Sequence, residues 1–315
     1  MARLRKINIR IKEKNDTGFS TQVSGRFVNK NGQANVKKTG IFFLEKYSWY
    51  HTFLLLSRVK FVTILVISYI IANLLFAAIY YSIGIEHLTG IDKSSPVREF
   101  VDVFFFSAQT FTTVGYGRIA PVGALASFVA TFEAFLGLLG FAIATGLFYG
   151  RFSRPRAFLN FSDIAIISPF EEEKALMFRV APFKNNLLSD AEVTISAAIE
   201  EEIEGEIVSK FYLLETVLKK INTFSLNWTI VHKIDGNSPF YEYTKEDFGN
   251  INIELIITVK AFDEIFANTV IQRTSYVTSE IIYGAKFLPM YHSSEDKGTT
   301  ILDLSKINSY QTVDF

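Results

Sequence analysis

The sequence predicts a mixed membrane protein, membrane α plus all-β: two spanning helices around a short re-entrant segment, then a β-sandwich. Three observations predict it. Residues 61–83 and 122–150 are almost free of charge in a chain that is 49% hydrophobic and 20% charged. Between them lies an aromatic segment of about 13 residues, too short to cross a bilayer. Beyond residue 160 the pattern turns to short apolar runs broken by Asn, Gly and Pro. A mean hydropathy of +0.22 is high for a chain of this size. The zero net charge gives no case for a nucleic-acid binder, which would normally be basic. The absence of cysteine removes disulfides, thiolate metal sites and Cys nucleophiles.

Residues 1–40 are polar and basic and read as a mostly irregular cytoplasmic tail. No apolar run follows the charges of MARLRKINIRIKEKND, so this is not the pattern of a signal peptide. Residues 41–57 follow. Within them FLEKYSWYHTFLLL (43–56) places Tyr47, Trp49 and Tyr50 beside Lys46 and His51. That mixture suits an interfacial slide helix on the cytoplasmic membrane surface, the other reading being a plain extension of the next helix.

The first span occupies about 58–83. Its stretch FVTILVISYIIANLLFAAIYYSI carries no charge and at 1.5 Å per residue crosses about 30 Å of hydrocarbon with some tilt. The second occupies about 122–150, with Glu133 its single charged residue. A buried core helix of a globular protein would explain either block alone, but less easily two so close together. Residues 1–60 hold 13 basic and 3 acidic side chains, and Arg151, Arg154 and Arg156 follow the second span. The segment between the spans has only Lys93, Arg98 and Arg118. This asymmetry puts both termini in the cytoplasm and residues 82–121 outside.

That outer segment begins with a Ser-Pro helix start, and 98–110 forms a short apolar helix. A segment that enters the membrane and stops halfway is re-entrant. Its irregular backbone is tolerable only where it lines water or is buried in protein. Directly after it stands Thr112-Thr113-Val114-Gly115-Tyr116-Gly117. This resembles the selectivity-filter signature of potassium channels. The residue types suit the chemistry. Gly115 and Gly117 permit backbone angles closed to other residues, so successive carbonyls point one way. With the Thr113 hydroxyl, those carbonyls replace the water shell of a dehydrated K⁺, while Val114 and Tyr116 face away. One chain supplies one strip of such a cage, and closure needs four.

From 155 to 315 the chain reads as one β domain, with runs such as IAIIS (164–168), AEVTISAAI (191–199) and INIELIITVKAF (251–262). No GxGxxG opens a helix, so a Rossmann-type regulatory domain is not indicated. Four stretches then become specific: FFFSAQTFTTVGYG, TFEAFLGLLGFAIATGLFYGRFSRPRA, FSLNWTIVHKIDGNSPFY and QRTSYVTSEIIYGAKF. Together they resemble the prokaryotic (KirBac) branch of the inward-rectifier potassium channels over roughly residues 40–305. The resemblance implies a homotetramer, an immunoglobulin-like cytoplasmic β-sandwich that extends the ion path, and control by anionic lipids.

The resemblance also implies roles for particular residues. Phe141 falls where strongly rectifying eukaryotic relatives carry an acid, and Tyr149 where the family has a bulky constriction at the helix crossing. They are eight residues apart and share a helix face; the plain alternative is packing between helices. Glu204 aligns with a cytoplasmic-pore acid within the run Glu200, Glu201, Glu202, Glu204, Glu206; otherwise the run is a solvated face. Gln109 stands where some relatives place an acid behind the filter. Glu133 either faces a cavity or braces the re-entrant helix. Gly137, Gly140 and Gly146 ease bending or allow close packing. Arg151, Arg154, Arg156, Lys46 and Lys60 attract anionic headgroups or simply obey topology.

The four His are scattered, and no Ser-His-Asp order, phosphate loop or HExxH occurs, so no enzyme is indicated. No cofactor is expected, and the only metal ion is K⁺ at the filter. The expectation is passive K⁺ conduction in a bacterial inner membrane, gated at the inner helix crossing. The alternatives are a less selective cation channel of the same class and a membrane-anchored receptor.

Overall fold

Ser57 starts the first long helix, its hydroxyl accepting the Lys60 N–H at 3.3 Å. In the computed structural model, residues 12–315 are described except 23, 24, 41, 43–47, 204 and 297. The chain divides into two compact units. One comprises residues 39–154; the other joins residues up to 38 with residues 155–315.

In the first unit, α1 (Trp49–Leu55) precedes α2 (Arg58–Ile83), which stops at Gly84 in the left-handed region, φ 110°. The strand β1 (Leu88–Thr89) leads to α3 (Pro96–Phe111). Ser95 caps α3 by accepting the Arg98 N–H, and Pro96 occupies a first-turn position where its missing donor costs nothing. After β2 (Ala120–Pro121) comes α4 (Ala124–Phe152). At 1.5 Å per residue α2 and α4 are about 39 and 44 Å long, enough to cross a membrane, whereas α3 reaches only about 24 Å. A small core of Phe76, Ala77, Tyr80, Val103, Phe106 and Ala130 locks α2, α3 and α4 together. Elsewhere α2 and α4 expose large apolar side chains such as Ile71, Leu75, Phe128 and Leu138. Exposed apolar surface of this extent suits lipid or neighbouring subunits.

The second unit is a sandwich. Strands β3 (Leu159–Phe161), β4 (Ala165–Phe170), β5 (Glu173–Pro182), β9 (Trp228–Ile234) and β12 (Ile281–Tyr283) form one sheet. Strands β6 (Leu188–Ile203), β7 (Glu206–Leu214), β8 (Lys220–Thr223), β10 (Ile253–Asp263) and β11 (Asn268–Val277) form the other. Their inner faces meet in one core that includes Leu176, Phe178, Ile195, Ile230, Leu255 and Ile257. Alternation of buried and half-exposed residues along β9 aims every second side chain inward. His232 is among them. Its Nδ1 donates to the Glu215 carbonyl at 2.6 Å, and its Nε2 accepts from the Ser238 hydroxyl at 2.8 Å. The Glu215 carbonyl can only accept, which fixes this tautomer, and Ser238 in turn accepts the Phe240 N–H. Burial holds the His232 pKa below its usual value.

The described residues of 12–38 contain almost no regular secondary structure, yet Phe27 and Val28 are buried. The outward face of β6, β7 and β10 is apolar at Ala198, Phe211 and Ile256, and Phe27 and Val28 cover it. The buried Glu254 carboxylate accepts the Phe27 and Val28 N–H groups at 2.5 and 2.9 Å. A hydrophilic composition concealed this because much of the attachment is polar: Arg26 and Lys30 also pair with Glu280 at 3.4 and 3.2 Å, and Asp16 accepts from the Ser196 hydroxyl at 2.6 Å. The short strands β13 (Ala285–Phe287), β14 (Tyr291–Ser293), β15 (Thr300–Leu302) and β16 (Tyr310–Thr312) pair in two small ribbons.

Candidate functional site

The α3 helix ends by handing its last carbonyls to the residues that follow. The N–H groups of Thr112, Thr113 and Val114 donate to the carbonyls of Ala108, Thr110 and Gln109 at 3.1, 3.0 and 2.9 Å. The Thr112 hydroxyl adds a second bond to Ala108 at 2.7 Å. This tight turn launches the next five residues, in which Thr113, Gly115 and Gly117 have φ of 60°, 55° and 80°. Val114 and Tyr116, between them, are not left-handed. Alternating handedness brings successive carbonyls to one side of the strip. The two glycines tolerate this freely; Thr113 bears strain, which marks a functional segment. Val114 and Tyr116 expose their side chains on the single chain.

The outer end of the strip is zipped to the loop after α2. Leu88 pairs with Pro121 and Thr89 with Ala120, and the Val122 N–H donates to the His87 carbonyl at 2.7 Å. Arg118, the first residue beyond Gly117, donates from Nη2 to Asp102 Oδ2 at 2.8 Å. The same oxygen accepts the Asp92 N–H at 3.0 Å.

Glu133 is completely buried and turned toward α3. It accepts from the Tyr80 hydroxyl of α2 at 2.7 Å and from Ser107 of α3. Asn73 is also fully buried and its side-chain oxygen lies 3.1 Å from the Ser107 hydroxyl. Four polar side chains therefore tie three helices behind the strip, and Glu133 occupies the bracing position of its two sequence alternatives. Gly137, one turn on, meets the strip's entrance. A Cβ there would lie 1.8 Å from the Phe111 carbonyl oxygen. Phe141 and Tyr149 project from the same helix and are 73% and 75% exposed.

The basic candidates separate. Arg151 is only half-exposed, and its guanidinium donates to the carbonyls of Phe53, Leu54 and Leu56 at 2.7, 3.3 and 2.7 Å. It also stacks 4.7 Å above the Phe61 ring. These carbonyls close α1, which has no basic residue in its own last turn. Arg151 thus clamps α1 to α4; the sequence showed its charge but not the orphan carbonyls nearby. Lys60, Arg154 and Arg156 are exposed. Lys46 and Glu204 lie outside the described residues. Of the acidic run, Glu201 pairs with Lys210 at 2.8 Å, and Glu200 accepts from Gly25 and Asn252. Glu202 and Glu206 are exposed.

Sequence reasoning missed the left-handed Thr113, the Tyr80–Ser107–Asn73 partners of Glu133, and the Asp102–Arg118 pair. A usable signal existed for one: Asn73 is the single carboxamide in a span without charges.

Comparison with known proteins places these features. The family model for the inward rectifier potassium channel C-terminal domain matches residues 159–315, and that for an ion channel matches residues 61–154. Over 289 residues the chain is 36% identical to inward rectifier potassium channel Kirbac3.1 of Paramagnetospirillum magnetotacticum, covering 90% of this chain and 95% of that one. It is 26% identical over 303 residues to ATP-sensitive inward rectifier potassium channel 12 of Gallus gallus, covering 86% of this chain and 68% of the relative. It is 26% identical over 321 residues to ATP-sensitive inward rectifier potassium channel 8 of Homo sapiens, with 90% and 73% covered.

Proposed function

The chain belongs to the prokaryotic inward-rectifier potassium channels, and from that premise we propose that it conducts K⁺ passively through a homotetramer whose ion cage is residues 113–117. The observation that carries this is the alternation of left-handed backbone at Thr113, Gly115 and Gly117 directly after a helix only 16 residues long. Four such strips around an axis present rings of carbonyls at the spacing a dehydrated K⁺ requires, and the Thr113 hydroxyl adds the innermost ring. The C-terminal end of α3 aims its partial negative charge toward the ion path and favours a cation there. Glu133 holds α3 against α2 and α4, so the cage stays open when ions leave.

Downstream, Phe141 and Tyr149 line the inner path, and the Tyr149 side chains of four subunits form the constriction. Apolar and aromatic rings at such a point stop ions by dewetting. Exposed Lys60, Arg154 and Arg156 provide the contact for anionic headgroups, each contributing about 1 kcal/mol. Arg151 instead fixes α1 to α4, so that a displacement of α1 moves the constriction. The β-sandwich and both termini lie in the cytoplasm, and the protein resides in the bacterial inner membrane. No cofactor takes part; K⁺ is the transported substrate.

Purified protein in liposomes, loaded with K⁺ and offered ⁸⁶Rb⁺ outside, tests this. Uptake that excess external K⁺ competes away and excess Na⁺ does not is expected. Equal competition by Na⁺ would turn the reading toward a less selective cation channel, and no uptake in any lipid toward a membrane-anchored receptor.

A further inference from the structure

One stripe of α4 starts at the filter entrance, where Gly137 faces the Phe111 carbonyl. Phe141, Thr145 and Tyr149 follow in steps of four residues. Each step advances about 6 Å along the helix and turns by about 40°. Thr145 therefore lies on the face that Phe141 and Tyr149 share, midway between them, and all three are exposed on the single chain. The rest of this half of the helix is apolar. From Ala134 to Gly150 only Thr145 and Tyr149 carry a side chain able to hydrogen-bond. The Thr145 hydroxyl also differs from those of other helical threonines in this unit. Thr110 and Thr131 donate to the carbonyls of Phe106 and Ser127, four residues back, at 2.8 and 2.9 Å. That is the local partner a threonine hydroxyl finds in an apolar helix. The Thr145 hydroxyl makes no such bond to Phe141, and none to another side chain among the described residues.

Narrow apolar passages shed water, and an ion entering one loses part of its shell. Water stays where it finds two to four polar partners, and purely apolar spaces stay dry. From Phe141 to Tyr149 is about 12 Å along α4. Four hydroxyls halfway along would divide that passage into two steps of about 6 Å. Each hydroxyl offers one donor and two lone pairs, so it serves water and can also accept a cation's approach. We propose that Thr145 is a permeation residue: its hydroxyls, one from each subunit, hold water between the Phe141 and Tyr149 rings and rehydrate K⁺ as it crosses the inner path. The constriction at Tyr149 remains the gate, and Thr145 sets how readily ions pass once it widens. This deepens the conduction proposed above and rests on it.

Single-channel recording of the full chain in planar bilayers tests this with three substitutions at one position. Thr145→Val keeps the shape and removes the hydroxyl. Thr145→Ala removes the hydroxyl and widens the path. Thr145→Ser keeps the hydroxyl on a smaller side chain. Unit K⁺ conductance should fall about tenfold in Thr145→Val and Thr145→Ala, the scale of one hydrogen bond to a charged group, and return toward native in Thr145→Ser. The K⁺/Na⁺ reversal potential should stay native in all three, because the filter is untouched. The direction of the Thr145→Ala change separates hydration from width: a side chain that merely obstructs the path would give a higher conductance when shortened. Alanine favours the helix, so this variant carries the test even if Thr145→Val assembles poorly. Native or raised conductance in Thr145→Ala, or a loss in Thr145→Ser equal to that in Thr145→Ala, would overturn the role of the hydroxyl while leaving K⁺ conduction intact. Absence of K⁺ current in the native protein would overturn both.

Discussion

A single methyl group at Gly137 is a sharp perturbation of the pore unit. Built on the present backbone, its Cβ lies 1.8 Å from the Phe111 carbonyl oxygen and 2.7 Å from the carbonyl carbon. Ordinary contact begins near 3.4 Å, so α4 and the filter entrance must separate by about 1.6 Å. Both partners are backbone, and no rotamer change relieves them. Overpacking of this kind costs about 1–3 kcal/mol, and the rigid neighbours put Gly137→Ala at the upper end, about 3 kcal/mol in each chain. The two later glycines serve as controls on the same helix. A Cβ on Gly140 meets only the Phe111 ring at 3.7 Å, and one on Gly146 meets nothing within 4 Å. Alanine at Gly146 should therefore leave assembly intact or strengthen the helix by up to about 1 kcal/mol. The assay is thermal stability of the assembled protein in detergent, followed by ⁸⁶Rb⁺ uptake after reconstitution. Gly137→Ala should lower the melting temperature and reduce uptake at least tenfold, while Gly140→Ala and Gly146→Ala stay near native. Native behaviour of Gly137→Ala would refute the steric reasoning. Equal loss of flux at all three glycines would show that α4 must bend, and that contact with Phe111 is secondary.

Three further outcomes follow from other sites. Cytoplasmic spermine should block the native channel weakly and Phe141→Asp strongly, with Glu133→Gln no different from native because Glu133 is buried behind α3; tight native block lost in Glu133→Gln would contradict that placement. Neutralising Lys60, Arg154 and Arg156 together should flatten the dependence of flux on anionic lipid, whereas Arg151→Gln should lower stability instead; unchanged lipid dependence in the triple variant leaves these charges a role in topology alone. The sandwich should lose stability on acidification. A His whose folded pKa is depressed contributes stability that is present above its unfolded pKa near 6.5 and lost as pH falls through the lower folded value. Denaturation between pH 7.5 and 5 should show that slope in native protein and a shallower one in His232→Gln; identical slopes would remove His232 as the cause.

Much of the architecture was legible because two signals are strong and local. Apolar runs of more than 20 residues, the second broken only by Glu133, announce α2 and α4, and β-branched runs announce β4, β6, β9 and β10. The filter was legible for a different reason: only glycine freely adopts the angles at 115 and 117. Thr113 escaped notice because its type does not demand a left-handed backbone. The direction of Glu133 was open because α4 is apolar on every face, so periodicity cannot say which side meets α3. Asp102 and Arg118 are joined across the filter itself, at a separation no helical or strand period connects. The carbonyl bonds of Arg151 were not legible because a positive charge at a membrane edge satisfies the topology rule whether or not its donors meet carbonyls.

Ion selectivity is the decisive property. With K⁺ on one side of a planar bilayer and Na⁺ on the other, native channels should reverse far from zero, toward the potential at which K⁺ alone is at equilibrium. Gly115→Ala channels, whose extra Cβ strains the left-handed backbone at φ 55°, should carry no K⁺ current. A native reversal potential near zero, or Gly115→Ala currents equal to native, would contradict an ion cage built from residues 113–117.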